Sequence, residues 1–406
     1  MTLRILFVDD DPSVLSTLRQ RLRSLQGEWK MTFARGSEEA LQILRQDPHD
    51  VVVSDRTMPN MDGVTSLTDE VKSWPHLVRV ILSGQSDEES TLRSIASTLH
   101  DKAIPCEPAL LRSTVQRAVS LHHLLRNEPV KVLVTRMDTL PSAPALLGEL
   151  MRELEKPECS LRRLGEIISQ DIAMTAKILR LVNSAYFGLR CQISDPGMAV
   201  IFLGITTVCS LVMTCHIFQH ADRKLTSWLN LDRIWHHSLA TAQWAKRIAE
   251  AETMNRQLVD DTLAAGMLHD AGRLVLAVNF PETYRELIQH AASERQDLNE
   301  CERSVLGVTH AEVGAYLMGT WGLKNTIVEA IAYHHTPSKC VDRRFSPLTA
   351  VHAACAMEAE RSLESTPSSC AQLDRAYLVE VNLLDRLDHW RSLCEADQGE
   401  ESASRS

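Results

Sequence analysis

Short runs of apolar residues, each ending in a polar cluster, recur in the first part of this chain, up to about residue 125. The runs occupy residues 4–8, 51–53 and 80–82. Apolarity that is continuous rather than alternating indicates strands buried on both faces of a sheet. Helical spacing separates the runs, and the first predicted helix has Asp11 as its cap and Pro12 in its first turn. Strands that alternate with helices predict an α/β domain on a doubly wound parallel sheet.

The chain of 406 residues is longer than one hydrophobic core usually serves, so we expect two or three domains. Pro-containing breaks at residues 127–129 and 141–144 end the alternation, and helical spacing then continues to about residue 390. An all-α region therefore follows the α/β domain. The predicted division is a first domain over 1–126, a linker over 127–138, a helical domain over 139–340, its helical extension over 341–394 and a disordered tail over 395–406.

One uncharged segment, residues 199–218, is long enough to cross a bilayer. It contains several hydroxyl side chains and a histidine, and Gly204 lies within it. Two short buried helices that meet near Gly204 explain this composition better than one membrane span does. We therefore expect no membrane insertion.

Charge and cysteine content limit the partners and the compartment. With 43 Lys and Arg against 53 Asp and Glu, the net charge of −10 opposes non-specific binding to nucleic acid. We find no helix-turn-helix with a basic recognition face, so no direct DNA binding is expected. The 10 cysteines include no CxxC pair and no secretory leader is recognisable, which favours free thiols in the cytoplasm.

Three aspartates follow the predicted strands: Asp9 and Asp10 after the first, and Asp55 after residues 51–53. Ligands of a parallel sheet bind at the carboxyl ends of its strands. Carboxylates that converge there repel one another, and a hard cation such as Mg²⁺ offsets the repulsion. A metal-neutralised carboxylate can also accept a phosphoryl group. Acids are common in turns as well, so Asp9 and Asp10 alone leave both interpretations open.

The sequences FVDDD, SDRTMPNMDG and ILSG, in this order and spacing, resemble the receiver domain of two-component response regulators. The resemblance covers residues 1 to about 125 and implies a five-stranded doubly wound sheet. It also implies that a cognate histidine kinase phosphorylates Asp55, that Asp9, Asp10 and Asp55 bind Mg²⁺, and that Ser83 is the switch hydroxyl. The protein would then be a phosphoprotein carrying an aspartyl phosphate.

One position departs from the receiver pattern. Receivers of this type end the fifth strand with a Lys-Pro pair, whereas this chain has Ile104 before Pro105. Lys102 lies on the same side of the strand as Ile104 and is the candidate to replace the missing ammonium. Two alternatives follow: a phosphorylated receiver, or a silent pseudo-receiver kept as a docking or dimerisation platform.

Histidines fall on the apolar faces and at the ends of predicted helices in the second region. One such face carries His237 with Ile234 and Thr241. Imidazoles on apolar helix faces, together with a carboxylate, are typical of a buried metal site, and two bridged metals could activate water. A single histidine of this kind is more often a hydrogen-bonded core residue. The candidate ligands of a divalent transition metal are His237, His269, Asp270, His310, His334 and His335.

The segments SQDIA, KILRLVNSAYFG, AVIFLG, WHHS, GMLHDAGRL and AYHH resemble the HDOD domain, a relative of the HD phosphohydrolases. The resemblance runs from about residue 137 to residue 335. It implies an all-α signalling module that acts through protein–protein contact, and a homodimer is common in the family. Asn183, Tyr186 and Phe187 form either a helix end with an aromatic plug or a partner surface.

Two departures bear on enzyme activity, which the sequence leaves open with the balance against it. HHTPS at residues 334–338 lacks the longer glycine-tyrosine-proline signature of the cyclic-dinucleotide phosphodiesterase branch. Cys355 also stands where HD enzymes carry a late aspartate ligand. A thiolate suits zinc but suits Mg²⁺ or Mn²⁺ chemistry poorly.

The sequence thus predicts a cytoplasmic two-component response regulator. Phosphotransfer to Asp55 would change how the helical domain meets a downstream signalling protein. The alternatives are a metal-dependent HD-type phosphohydrolase, with cyclic dinucleotides as one substrate class, and a scaffold with a silent receiver.

Overall fold

The structure is a computed structural model of the chain. It describes residues 2–55, 77–82, 102–103, 108–125, 128–135, 137, 145–154, 161–170, 172–183, 193–220, 228–294, 296–362 and 372–395. The chain divides into two compact units, Met1–His123 and Leu124–Ser406.

The first unit is a parallel α/β sheet, as the apolar runs predict. Its elements are β1 (Leu3–Asp9), α1 (Pro12–Arg21), a 3-10 turn (Leu22–Leu25), β2 (Trp29–Arg35), α2 (Gly36–Gln46), β3 (Val51–Asp55), β4 (Val78–Leu82), β5 (Lys102–Ala103) and α3 (Pro108–Leu125). The strands form a 5-stranded sheet in the order β2-β1-β3-β4-β5, and every pairing is parallel. The predicted doubly wound sheet is confirmed.

Alternate residues of β1 enter different cores. Ile5 and Phe7 pack with apolar residues of α1 and α3, whereas Leu6 and Val8 pack with those of α2. This is why the run is continuously apolar. At the end of the strand, Asp11 caps α1 by accepting a hydrogen bond from the Ser13 amide at 2.7 Å.

The regular elements described in the second unit are all helices. Its helices are α4 (Glu128–Thr135), α5 (Ala145–Leu154), α6 (Leu161–Ser169), α7 (Ile172–Val182), α8 (Pro196–Leu203), α9 (Ile205–His220), α10 (Leu231–Glu252), α11 (Arg256–Leu268), α12 (Ala271–Asn279), α13 (Pro281–Glu294), α14 (Leu298–Leu306), α15 (His310–Thr320), α16 (Asn325–Tyr333), α17 (Pro347–Ser362), α18 (Arg375–Glu380) and α19 (Leu387–Glu395). Short 3-10 turns occupy Pro337–Lys339 and Leu384–Arg386. The all-α prediction is confirmed.

The uncharged segment forms two helices rather than one. Between α8 and α9, Gly204 has a φ of 78°, a left-handed conformation that favours glycine. The predicted break at this residue is therefore confirmed. None of the helices that the structure describes combines the length and the apolarity needed to cross a membrane.

Six helices form the frame that carries the candidate ligands. Helix α10 packs against α11 and α17, and α15 packs against α12 and α16. Glycines permit two close approaches: a Cβ on Gly266 would lie 2.5 Å from the Cα of Ala242, and one on Gly272 would lie 2.0 Å from the carbonyl oxygen of His310. These contacts bring α11 and α12, and the ligands between them, close to α10 and α15.

Candidate metal centre

The six predicted ligand residues of the second unit come together in space from four places in the sequence. His237 lies within α10, and His269 and Asp270 lie between α11 and α12. His310 begins α15, whereas His334 and His335 follow α16. Three of these imidazoles, those of His269, His310 and His334, are 0 to 1% exposed.

Backbone carbonyls fix the orientation of two imidazoles. Nδ1 of His269 donates to the carbonyl oxygen of Gly266 at 2.8 Å, and Nδ1 of His334 donates to that of Ile331 at 2.7 Å. A carbonyl oxygen can only accept, so Nδ1 carries the hydrogen and Nε2 of the neutral ring offers a lone pair. Both Nε2 atoms therefore present the ligand form of imidazole to the interior.

Carboxylates fix two further imidazoles in the same way. Nδ1 of His237 donates to Glu358 on α17. Nδ1 of His310 donates to Glu302 at 2.7 Å, and the hydroxyl of Tyr284 donates to the same carboxylate at 2.6 Å. Such outer carboxylates hold a metal-binding histidine in one tautomer and raise its basicity.

The inward-facing atoms form two groups. The histidine group is Asp270, His310, His334 and His335, and the cysteine group is His237, His269 and Cys355. In each group every residue offers one ligand atom, and these atoms lie within 4.8 Å of one another. Asp270 belongs to the first group and also faces the second, since its oxygens lie 3.9 Å from Nε2 of His237 and 3.8 Å from Nε2 of His269.

Nε2 atoms of neighbouring imidazoles approach one another closely within both groups. Nε2 of His335 lies 3.0 Å from Nε2 of His310, and Nε2 of His269 lies 3.3 Å from Nε2 of His237. Nε2 of His334 is buried without a hydrogen-bond partner. Facing lone pairs and an unpaired buried nitrogen are unfavourable unless a proton or a cation lies between them. The residues present therefore fit a divalent metal at each group.

The protonation states of most of these residues favour binding of a metal cation. Burial opposes the charge of Asp270, but the charge of Arg273 and the hydrogen bond and charge of His310 outweigh burial and hold the pKa of this carboxyl well below its usual range. Burial lowers the pKa of His269 to about 4 and holds the pKa values of His334 and His335 well below the ordinary value. Neutral imidazoles beside an ionised carboxylate are the state in which such residues bind metal.

The pKa of His310 shifts in the opposite direction to those of the other buried histidines. Burial alone would lower its pKa, but the negative charges of Glu302 and Asp270 outweigh burial and raise the pKa to about 9. A proton on Nε2 of His310 would satisfy Asp270, 3.3 Å away, and His335. Metal binding at the histidine group must displace that proton.

Several supporting residues are not among the candidates selected from the sequence. Glu302 lies four residues from both Leu298 and Leu306, so an acid on an apolar helix face was the available sign. Glu358 likewise follows Cys355 by one helical turn. His352 is buried, and its Nδ1 donates to the carbonyl oxygen of His334 at 2.7 Å.

Two acids of the first unit lie at the carboxyl ends of adjacent strands. Val8 of β1 pairs with Ser54 of β3, so the next residues, Asp9 and Asp55, end adjacent strands. Asp9 is 5% exposed and accepts a hydrogen bond from the Asp11 amide at 2.9 Å, whereas Asp10 is exposed.

The other receiver candidates are only partly visible. Lys102 lies in β5, paired with Ile81. The side chains of Asp55 and Lys102, as well as the whole of Ser83 and Ile104, lie outside the described part of the chain. Mg²⁺ binding and phosphorylation by these residues therefore stay predictions.

Asn183, the first residue of the predicted partner surface, makes hydrogen bonds within the fold. The side-chain amide of Asn183 donates to the carbonyl oxygen of Ile193 at 2.6 Å, and its oxygen accepts from the Ile193 amide at 2.7 Å. Asn183 thus joins the end of α7 to the segment before α8. Tyr186 and Phe187 lie outside the described residues.

Family models match both parts of the chain. The response regulator receiver domain matches residues 5–103, and the HDOD domain matches residues 140–337. The chain carries a receiver domain followed by an HDOD domain.

Curated relatives match only part of this receiver–HDOD protein. An uncharacterized protein of Treponema pallidum is 29% identical over 206 residues, which are 50% of this chain and 39% of that protein. The hydrogenase transcriptional regulatory protein HoxA of Cupriavidus necator is 30% identical over 122 residues, 30% of this chain and 25% of that protein. The chain therefore spans well under half the length of either relative.

Solved structures share the helical fold. An HDOD domain protein of unknown function from Geobacter sulfurreducens gives a TM-score of 0.54 at 22% identity and covers 70% of this chain and 97% of its own. A putative phosphohydrolase from Shewanella amazonensis gives a TM-score of 0.51 at 22% identity and covers 67% and 94%. At this identity the likeness concerns fold alone.

Proposed function

We propose that this protein is a two-component response regulator whose HDOD domain is a metal-holding output domain that signals through protein contact. A histidine kinase phosphorylates Asp55, with Mg²⁺ held by Asp9, Asp10 and Asp55. The receiver then changes how the HDOD domain meets a downstream signalling protein. The predicted domain boundaries, the cytoplasmic location and a target other than DNA or membrane belong to the same proposal.

One observation carries the proposal for the output domain: the three buried imidazoles of His269, His310 and His334 lie around the ionised Asp270. His269, Asp270, His310 and His334 are 0 to 3% exposed. A centre enclosed to this degree stabilises the arrangement of α10, α11, α15, α16 and α17 by linking them. Such linkage favours a structural signalling core over a site that exchanges substrate freely.

The test labels the full-length protein with acetyl phosphate and follows hydrogen–deuterium exchange in its helices. We expect label on the wild type, none on Asp55→Asn, and altered exchange in the HDOD helices of the labelled protein only. Label without altered exchange would contradict coupling between the two domains. No label on the wild type, but label on Ile104→Lys, would identify the domain as a pseudo-receiver that lost its lysine.

A second candidate function is metal-dependent phosphate-ester hydrolysis, because Asp270 faces both ligand groups as a bridging carboxylate would. Two bound metals would supply an activated water and a clamp for phosphate. The chain contributes the fixed imidazole tautomers and the anionic Asp270. The test is hydrolysis of bis(p-nitrophenyl) phosphate and cyclic di-GMP, with His269→Ala as the negative control. Hydrolysis by the wild type that the variant loses would favour this candidate, whereas equal rates would reject it.

A further inference from the structure

The thiol of Cys355 faces the Nε2 atoms of two imidazoles. Cys355 lies in α17, is 2% exposed, and places Sγ 3.7 Å from Nε2 of His237 and 3.8 Å from Nε2 of His269. The two nitrogens are themselves 3.3 Å apart. Glu358, one turn further along α17, accepts the hydrogen bond that holds His237 in this orientation. One helix thus supplies both the sulfur and the carboxylate that aims the nearest imidazole.

These separations match those around a single zinc ion. With Zn–N bonds of about 2.0–2.1 Å and Zn–S bonds of about 2.3 Å at tetrahedral angles, two nitrogens lie about 3.3 Å apart and nitrogen and sulfur about 3.6 Å apart. The distances among His237, His269 and Cys355 differ from these values by about 0.2 Å or less. The oxygens of Asp270, at 3.8 and 3.9 Å from the nitrogens, lie slightly farther out.

The two ligand groups differ in chemistry. The cysteine group combines two nitrogens and a sulfur, whereas the histidine group contains three imidazoles and a carboxylate. Thiolate ligands select zinc and other soft divalent ions, whereas Mg²⁺ and Mn²⁺ prefer oxygen ligands. The cysteine group and the histidine group are therefore expected to prefer different metals.

We propose that Cys355 is a thiolate ligand, so that the cysteine group binds Zn²⁺ or another thiophilic divalent ion in preference to Mg²⁺ or Mn²⁺. The inference rests on the metal centre of the proposed function and specifies the metal at one of its two groups. As the sulfur–metal bond forms, the S–H bond breaks and its proton passes to solvent. Neither sulfur nor metal changes oxidation state.

Another buried cysteine provides a matched control. Cys209 is 5% exposed within α9, and burial raises the pKa of its thiol to about 12. It belongs to neither ligand group among the described residues. Cys209→Ala thus removes a buried thiol while leaving both groups intact.

The experiment is a cobalt titration of full-length protein stripped of metal with a chelator. Cobalt bound by nitrogen and oxygen ligands gives visible d–d absorption, whereas a cobalt–thiolate bond adds a charge-transfer band in the near ultraviolet. We expect both in the wild type and in Cys209→Ala. Cys355→Ser and Cys355→Asp should keep visible absorption from the remaining ligands and lose the near-ultraviolet band. Zn²⁺, but not Mg²⁺, should displace the cobalt that gives this band, and Cys355→Ser should bind Zn²⁺ at least about tenfold more weakly.

The outcomes separate the inference from the proposal beneath it. Visible absorption without the near-ultraviolet band in the wild type would overturn the role of Cys355 and leave the metal centre standing. A band that survives in both Cys355 variants would do the same. If the folded wild type binds no cobalt, zinc or manganese, both the thiolate ligand and the metal centre are wrong.

Discussion

Glu302 binds His310 twice through a single oxygen atom. Oε2 of Glu302 accepts hydrogen bonds from the backbone N–H of His310 at 2.8 Å and from its Nδ1–H at 2.7 Å. Oε1 accepts the hydroxyl hydrogen of Tyr284 at 2.6 Å. Backbone and imidazole of His310 are thereby fixed together at the start of α15, and Nε2 is left facing Asp270. In the proposed metal centre, a fully buried carboxylate with these partners is a positioning residue.

Glu302→Gln should weaken metal binding at the histidine group by about 10- to 100-fold. Glutamine keeps the size of the side chain but replaces one acceptor oxygen with an NH₂ donor. It also removes the negative charge that favours a bound metal cation. Tyr284→Phe is the matched control, because it removes a partner of Glu302 and leaves both contacts to His310. We expect a smaller change in that variant. Zn²⁺ affinity measured by competition with a chelator checks the order, and equal affinities in Glu302→Gln and wild type would contradict the positioning role.

Adjacent histidines of α10 should differ in their importance for metal content. His237 turns inward to the cysteine group, whereas His236 is exposed and its Nδ1 bonds the carbonyl oxygen of Asp232 at 2.6 Å. Elemental analysis of protein purified without chelator or His-tag should show metal lost from His237→Ala and unchanged in His236→Ala. Metal retained in full by His237→Ala, or lost equally from both variants, would argue against the cysteine group as a binding site.

Gly272→Ala should disturb the site through the backbone. A Cβ at this position would lie 2.0 Å from the carbonyl oxygen of His310 and 2.8 Å from the amide nitrogen of Gly314, so α12 and α15 would have to separate. We expect a loss of about 3 kcal/mol or more in the free energy of unfolding, with weaker metal binding, because overpacking displaces His310. Denaturant unfolding measures the first effect.

Gly148→Ala provides the comparison for that variant. Nothing lies within 4 Å of a Cβ on Gly148 in α5, so alanine there should stabilise the helix by about 0.5–1 kcal/mol. A Gly272→Ala protein as stable as wild type would show that the contact between α12 and α15 yields easily.

Most of the sheet could be predicted because burial on both faces leaves a direct mark in the sequence. β1, β3 and β4 each contain one of the continuous apolar runs from which the strands were predicted. β2 alternates lysine and threonine with apolar residues at the edge of the sheet, and β5 contains two residues, so neither produces such a run. Edge strands and very short strands depend on pairing with a neighbour, which periodicity does not report.

The candidate ligands could be selected from the sequence because histidine on an apolar helix face is conspicuous; that they bind metal stays a prediction. The residues that orient these imidazoles could not be predicted, because their contacts are tertiary. Glu358, for example, lies 121 residues from His237 in the sequence. For Cys355 the sequence shows only that a thiol stands where HD enzymes carry an aspartate. Its distance to two imidazole nitrogens depends on how α17 packs against α10 and α11, which no local pattern encodes.

The metal-stripped protein should be most stable near pH 6.5. Burial lowers the pKa of His269 to about 4, so between pH 6.5 and 4 the unfolded chain takes up the proton that the folded chain excludes. Stability therefore falls as the pH decreases through that range. The pKa of His310 is raised to about 9, because Glu302 and Asp270 outweigh its burial. Its contribution is complete below pH 6.5 and is lost as the pH rises through 9.

Bound metal should flatten the alkaline side of this profile, because metal binding at the histidine group replaces the proton of His310. Thermal unfolding from pH 4 to 10, with and without chelator, measures both limbs. His310→Gln removes the titrating group, so the alkaline limb should also flatten in that variant without metal. An alkaline limb of equal slope in wild type and His310→Gln would show that the buried imidazolium of His310 does not stabilise the metal-stripped fold.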